Sequence, residues 1–180
     1  MTLGKKIFLV LYLIGSIFFL IYLCLHSPKF PVPPPDAFQS MEDADIETPL
    51  KRAYFTNYTR EQVIDHYLNQ FSRKSLVLNY PPEDAQTLIR DQTRSRYLQE
   101  IVHPFRESLF INGFIPMVPK DDIWYKGVHY EEKITIKYIP SSLPVRLTVG
   151  ILTLIVGWKL IEVWLWTLTD LGKALKWKAD

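Results

Sequence analysis

One cysteine, Cys24, stands in 180 residues, so no disulfide can form within the chain and a stapled scaffold is excluded. The bulky Ile21-Tyr22-Leu23 before it rules out lipoprotein processing, and Cys24 reads as a small apolar residue. The sequence contains no GxGxxG, GxxxxGK[ST], HExxH or GxSxG, so dinucleotide, P-loop, zincin and serine-hydrolase signatures are missing. His26, His66, His103 and His129 lie far apart without recognisable metal-ligand spacing, and neither metal nor cofactor is expected. Residues 27–142 hold fourteen Lys or Arg against sixteen Asp or Glu, a balance that disfavours nucleic acid as a partner. With 48% hydrophobic residues, the composition excludes fibrous and disordered classes.

The apolar residues concentrate at the two ends. Ile7–Leu25 is nineteen residues without a charge, about 28 Å of helix against a hydrocarbon core of about 30 Å. That length argues for an uncleaved anchor rather than a signal peptide. Leu143–Thr169 is the second run, with Arg146 near its start and Trp164 and Trp166 toward its end. Lys5 and Lys6 flank the outer end of the first run; Lys173, Lys176 and Lys178 flank that of the second. The positive-inside rule then sets both termini in the cytoplasm and the middle outside, an integral protein of the cell membrane. The expected divisions are residues 1–6, a span at 7–25, a stalk at 26–48, a domain at 49–142, a span at 143–169 and a basic tail at 170–180.

Two charges interrupt the second run. Lys159 and Glu162 flank its midpoint, where a charge costs about 2.5–3.5 kcal/mol. Their i, i+3 spacing lets them pair. The helix either spans fully with the pair inside the membrane or turns interfacial after Trp158; the first requires less thinning of the bilayer. Gly150 and Gly157, seven residues apart, mark one face for close packing against Gly15 and Ser16 at the middle of the first run. Lys159 lies about 200° from that face, turned toward a second copy or a partner subunit.

Between the runs the pattern predicts an α+β domain with a mixed or antiparallel sheet and two helices on one face. Pro28, Pro31, Pro33, Pro34 and Pro35 suggest an extended spacer, and Asp36 to Glu47 a solvated acidic linker. Residues 50–56 suit a strand. Thr59 with Gln62 forms a capping box for a helix whose apolar stripe is Val63, Ile64, Tyr67, Leu68 and Phe71, with His66 on its solvent side. A strand at 76–80 follows, then a helix opened by Pro81-Pro82 and running to Asp91, with Ala85, Leu88 and Ile89 buried. Strands are expected near 96–103 and 107–114, the second ending at Asn112-Gly113. Lys133–Ile139 alternates as a half-buried strand should, and the polar residues from His129 to Glu132 fit a sheet edge. Asn57-Tyr58-Thr59 is a glycosylation acceptor in a compartment with that machinery.

Arg90, Arg94, Arg96 and Arg106 suggest a salt-bridged surface. The turn with His103, Arg106, Glu107 and Ser108 is the candidate partner-binding cluster, because strand-connecting loops commonly carry recognition. A Ser108–His103 nucleophile pair lacks a third member and an elbow, so no catalytic residue is assigned. The leading reading is a non-enzymatic two-span membrane protein whose outer domain binds a protein or envelope component. An accessory subunit assembled through Lys159 and Glu162, or by self-association, is the first alternative; a membrane-bound hydrolase or transferase is the second.

Overall fold

The computed structural model describes residues 3–71, 75–90 and 94–177. It divides into two units, His26–Ser141 and a helical unit formed by the two ends of the chain. The expected helix end at Asp91, and Lys178 of the basic tail, lie outside the described residues.

The unit His26–Ser141 is α+β, built on a fully antiparallel sheet in the order β1-β2-β8-β5-β4-β3. Its strands are β1 (Phe38–Gln39), β2 (Lys51–Thr56), β3 (Leu76–Tyr80), β4 (Tyr97–Val102), β5 (Ser108–Phe114) and β8 (Glu132–Ile139). A separate hairpin joins β6 (Ile123–Tyr125) to β7 (Val128–Tyr130). Lys126 and Gly127 at its tip have φ of 51° and 79°, the left-handed pair that a tight hairpin turn requires.

Helix α2 (Arg60–Phe71) covers one face. The capping box forms as the sequence predicts: Thr59 N donates to Gln62 Oε1 at 2.8 Å, and Gln62 N approaches Thr59 Oγ1 at 3.5 Å. Val63, Tyr67 and Phe71 are buried against Tyr97, Ile101, Leu109, Ile111, Ile134 and Ile136, while Ile64 and Leu68 are half-buried at the margin. The second expected helix is shorter than the sequence suggests, a 3-10 turn at Pro82–Asp84 running into α3 (Ala85–Leu88). Its Ala85 and the following Ile89 pack on Leu98 and Phe110, side chains of the opposite face, since strand neighbours alternate. The hairpin covers more of that face through Ile123 and Tyr130 on Phe55. The helices are therefore not all on one side.

The segment 26–48 is no free spacer. Pro31 and Pro34 are buried, and Phe30 and Ala37 pack against the α2 core. Gln70 brackets Val32, accepting from its N–H at 2.8 Å and donating to its carbonyl at 2.9 Å. His66, expected to face solvent, is half-buried with Nε2 2.9 Å from the same carbonyl. Asp36 accepts from Thr56 Oγ1 and Asn57 N at 2.7 and 2.6 Å. The acidic run is anchored too: Asp45 is buried, accepts from Ser40 Oγ at 2.6 Å and meets Lys133 Nζ at 2.7 Å, with Glu42 2.8 Å from the same ammonium. Burial alone would lower the Lys133 amine; the two carboxylates outweigh it and hold it above its ordinary value.

The helical unit pairs α1 (Leu3–Cys24) with α4 (Leu143–Trp177). Both are long and apolar enough to cross a membrane, over Lys6–Cys24 and Leu143–Leu171. The residues given to the basic tail continue α4 as far as Trp177.

Candidate functional sites

Beside the Lys133–Asp45–Glu42 group, three charged constellations stand out among the described residues, and the sequence pointed to two of them. The first is the turn between β4 and β5. Glu107 is 2% exposed and collects three donors: His103 Nδ1 at 2.8 Å, Arg106 at 2.8 Å and Ser27 Oγ at 3.0 Å. Arg106 also donates to the His26 carbonyl at 2.9 Å, and the His103 ring stacks on Phe71 at 4.8 Å. A carboxylate buried among that many donors is stable only while all of them stay in place. The network thus ties residues 26 and 27 to the β4–β5 turn. His103, Arg106 and Glu107 are brought together as the sequence suggested, but facing inward. Reaching the Glu107 carboxylate would break the network, so these three side chains form a clamp within the domain. Ser108 is separate: it follows Glu107 on the sheet face of Val102 and Phe110, whereas His103 stacks on the α2 side. That division removes the Ser108–His103 pair.

The second constellation was not anticipated. Glu132, which the sequence places at a polar sheet edge, is 2% exposed and accepts a hydrogen bond from the Tyr97 hydroxyl. Gly113 lies between them in the sheet, and a Cβ there would collide with the Tyr97 ring and Glu132 Oε1. This close approach requires glycine at 113, and β5 does not end at Asn112-Gly113 but continues to Phe114, paired with Lys133 of β8. The Arg60 guanidinium lies 5.0 Å from the Tyr97 ring centre. Burial pushes the Glu132 carboxyl up to about 7, against the opposing effect of the Tyr97 hydrogen bond. An alternating polar position preceding a strand gives no warning of such burial; only the small residue at 113 hints at it.

The third lies in the helical unit, where α1 and α4 run antiparallel. Trp158 packs on Phe8 and Tyr12 with ring centres 6.5 and 5.2 Å apart. Tyr12 donates to the Leu154 carbonyl. Arg146, 3% exposed, donates to the Leu23 and Leu25 carbonyls at 3.5 and 3.2 Å, a cation on the C-terminal end of α1. Gly150 sits against Leu23, which a Cβ would strike, and a Cβ on Gly157 would lie 3.5 Å from the Tyr12 hydroxyl. Both α4 glycines therefore lie in the helix contact. Gly15 does not: it is exposed, with nothing within 4 Å of a Cβ. Ser16 is half-buried and donates within its own helix to the Tyr12 carbonyl at 2.8 Å. The register differs from the expected one because the Tyr12 ring takes up the space beside Gly157. Lys159 is consequently level with residues 9–12 of α1, not with Gly15 and Ser16.

Lys159 and Glu162 pair at 2.8 Å, with side chains 70% and 44% exposed. Trp158 Nε1 adds a 2.9 Å hydrogen bond to Glu162. Arg90, Arg94, Arg96 and Arg106 do not converge: Arg90 meets Glu47 at 3.1 Å, Arg94 meets Asp121 at 2.8 Å, Arg96 reaches the Ile115 carbonyl and Arg106 joins the clamp. Among the described residues no group of three or more His, Cys, Asp or Glu is placed to hold a metal ion. Comparison with protein-family models, curated proteins and solved structures finds no match for this chain.

Proposed function

We propose that the chain is a two-span membrane protein, with both termini in the cytoplasm and residues 26–142 on the outer side. Its outer domain binds a protein or envelope component and performs no catalysis. The topology is supported by two apolar helices at the ends of the chain and by lysines beyond both outer ends. The helix register lightens the burden of Lys159 and Glu162. Placing residues 7–25 symmetrically in the bilayer puts Lys159 about 6–10 Å and Glu162 about 10–15 Å from its midplane, toward the cytoplasmic boundary at about 15 Å. At that depth Lys159 can reach the headgroups.

The observation that carries the binding role is the β6–β7 hairpin. Trp124 is 65% exposed and Val128 50%. They lie near the end of the sheet where Thr56 pairs with Glu132, as the packing of Ile123 and Tyr130 on Phe55 shows. A 65%-exposed tryptophan paired across the hairpin with His129, whose ring lies 5.2 Å away, and far from the points where the chain leaves the domain, suits a partner surface. A photo-crosslinking residue replacing Trp124 should trap one defined adduct in native membranes, and the same group at exposed Glu83 should not. Identical adduct patterns at both positions would sink this reading.

A second reading has its own observation. The Lys159–Glu162 pair lies outward on the helix pair, available to another subunit or another copy. Lys159→Leu with Glu162→Leu would then abolish a detergent-stable assembly while leaving insertion intact. An unchanged assembly would contradict it.

A further inference from the structure

Both points where the chain leaves the outer domain lie at one end of its sheet. His26, Ser27 and Pro28 are fixed there by Arg106, Glu107 and the Tyr138 hydroxyl. The last residue of β8, Ile139, pairs with Ser108 at the same end. The tethers are short: Leu25 alone separates α1 from His26, and residues 140–142 separate β8 from α4. Fully extended, they reach at most about 7 Å from Cys24 to His26 and about 14 Å from Ile139 to Leu143. The prolines provide no stand-off, because they pack on the domain itself.

The same end carries exposed apolar side chains. Leu76, Val102, Ser108 and Ile139 form one row across the sheet, with Leu76 56% and Ile139 38% exposed. Beyond the row projects Phe105, 50% exposed, with φ of 62°, a conformation that bulky side chains avoid. The turn is held by Arg106 N to the His103 carbonyl at 2.9 Å and His103 N to the Glu107 carbonyl at 3.0 Å, and by the buried clamp beneath it. A fixed turn thus presents an aromatic side chain to the surroundings at the end nearest the two tethers.

We propose that this end of the domain rests in the interfacial layer of the bilayer, with Phe105, Leu76 and Ile139 among the lipid headgroups. The inference rests on α1 and α4 crossing the membrane. A headgroup layer is about 5–8 Å thick on each side, so tethers of this length bring the row to its depth. Aromatic and aliphatic side chains are favoured there, and their burial offsets exposure that water would penalise. The β4–β5 turn is then a lipid contact, and the clamp formed by Glu107 is what keeps it rigid.

The test uses the full chain with Cys24→Ser, reconstituted in phosphatidylcholine vesicles and carrying one environment-sensitive dye at a new cysteine. Dyes at Phe105→Cys and Leu76→Cys should lose fluorescence to lipids brominated near the headgroup and resist aqueous iodide present on both sides. A dye at Trp124→Cys should do the reverse. Leu13→Cys, exposed on α1, reports on spanning itself through lipids brominated deep in the acyl chain. Position 76 decides the matter if the 105 variant fails to fold. If positions 105 and 76 behave like 124 while 13 is quenched, the interfacial contact is wrong and the spanning reading stands. If 13 also escapes quenching, both fall.

Discussion

Replacing Glu107 with alanine is expected to cost the outer domain about 3–5 kcal/mol, the range for removing one partner of a buried ion pair. The structure supports the upper part of that range. Arg106 is itself nearly inaccessible, with its side chain 5% exposed, and His103 Nδ1 and Ser27 Oγ would lose their acceptor as well. For a unit of 116 residues (26 to 141), at about 4 °C per kcal/mol, melting should fall by about 12–20 °C. Changing Arg106 and Glu107 together to methionine removes both charges and should cost clearly less than the single change, because no buried charge is left alone. Arg94→Ala is the control. Its partner Asp121 is also 2.8 Å away, but the arginine side chain is 67% exposed, so the loss should stay within about 0.5 kcal/mol. Thermal unfolding of the full chain in one detergent, followed by the near-ultraviolet signal of the domain, compares the three variants with the unsubstituted chain. A Glu107→Ala loss no larger than that of Arg94→Ala would refute the idea of a buried clamp.

Glu132 makes stability fall as pH rises. Its carboxyl stands at about 7 in the fold against an ordinary 4.5, so the folded state binds the proton more tightly and loses about 3 kcal/mol across that window. Glu132→Gln should remove this slope and raise stability at pH 8; an unchanged slope in denaturant titrations would refute the assignment. Tyr67→Phe should be neutral or stabilising by about 1 kcal/mol, since the buried Tyr67 hydroxyl has no hydrogen-bond partner among the described residues; a loss above about 1 kcal/mol would reveal a missing partner. Gly113→Ala should be strongly destabilising by its collision with Tyr97 and Glu132, whereas Gly15→Ala on the exposed side of α1 should leave melting unchanged.

Local rules carried the elements whose signals are local. The Thr59–Gln62 box, the Val63-Tyr67-Phe71 stripe and the alternation of Lys133–Ile139 all act within a few residues, and each formed as the sequence predicts. Most of the errors come from partners distant in sequence. Asp45 resembles a linker acid until Lys133, 88 positions later, neutralises it. Pro31 and Pro34 suggest a spacer until α2 supplies Gln70 to bracket Val32. The β6 and β7 strands are three residues each, too short for periodicity to register, and their Lys126-Gly127 turn lacks the usual asparagine. The 103–108 turn was recognisable as a charged cluster, but its burial was not, because Ser27 and His26 arrive from the far side of the chain. In the helical unit the α4 glycines marked the contact face. The register depended on which large ring filled the gap, and that was Tyr12.

The topology is the claim on which the functional reading depends, and single-cysteine labelling tests it most directly. In the Cys24→Ser chain, a cysteine at Trp124 and another appended after Asp180 are treated with a membrane-impermeant maleimide in intact cells. The account predicts labelling at 124 without permeabilisation and at the C-terminus only after it. Labelling of both positions from the same side would contradict the two-span arrangement.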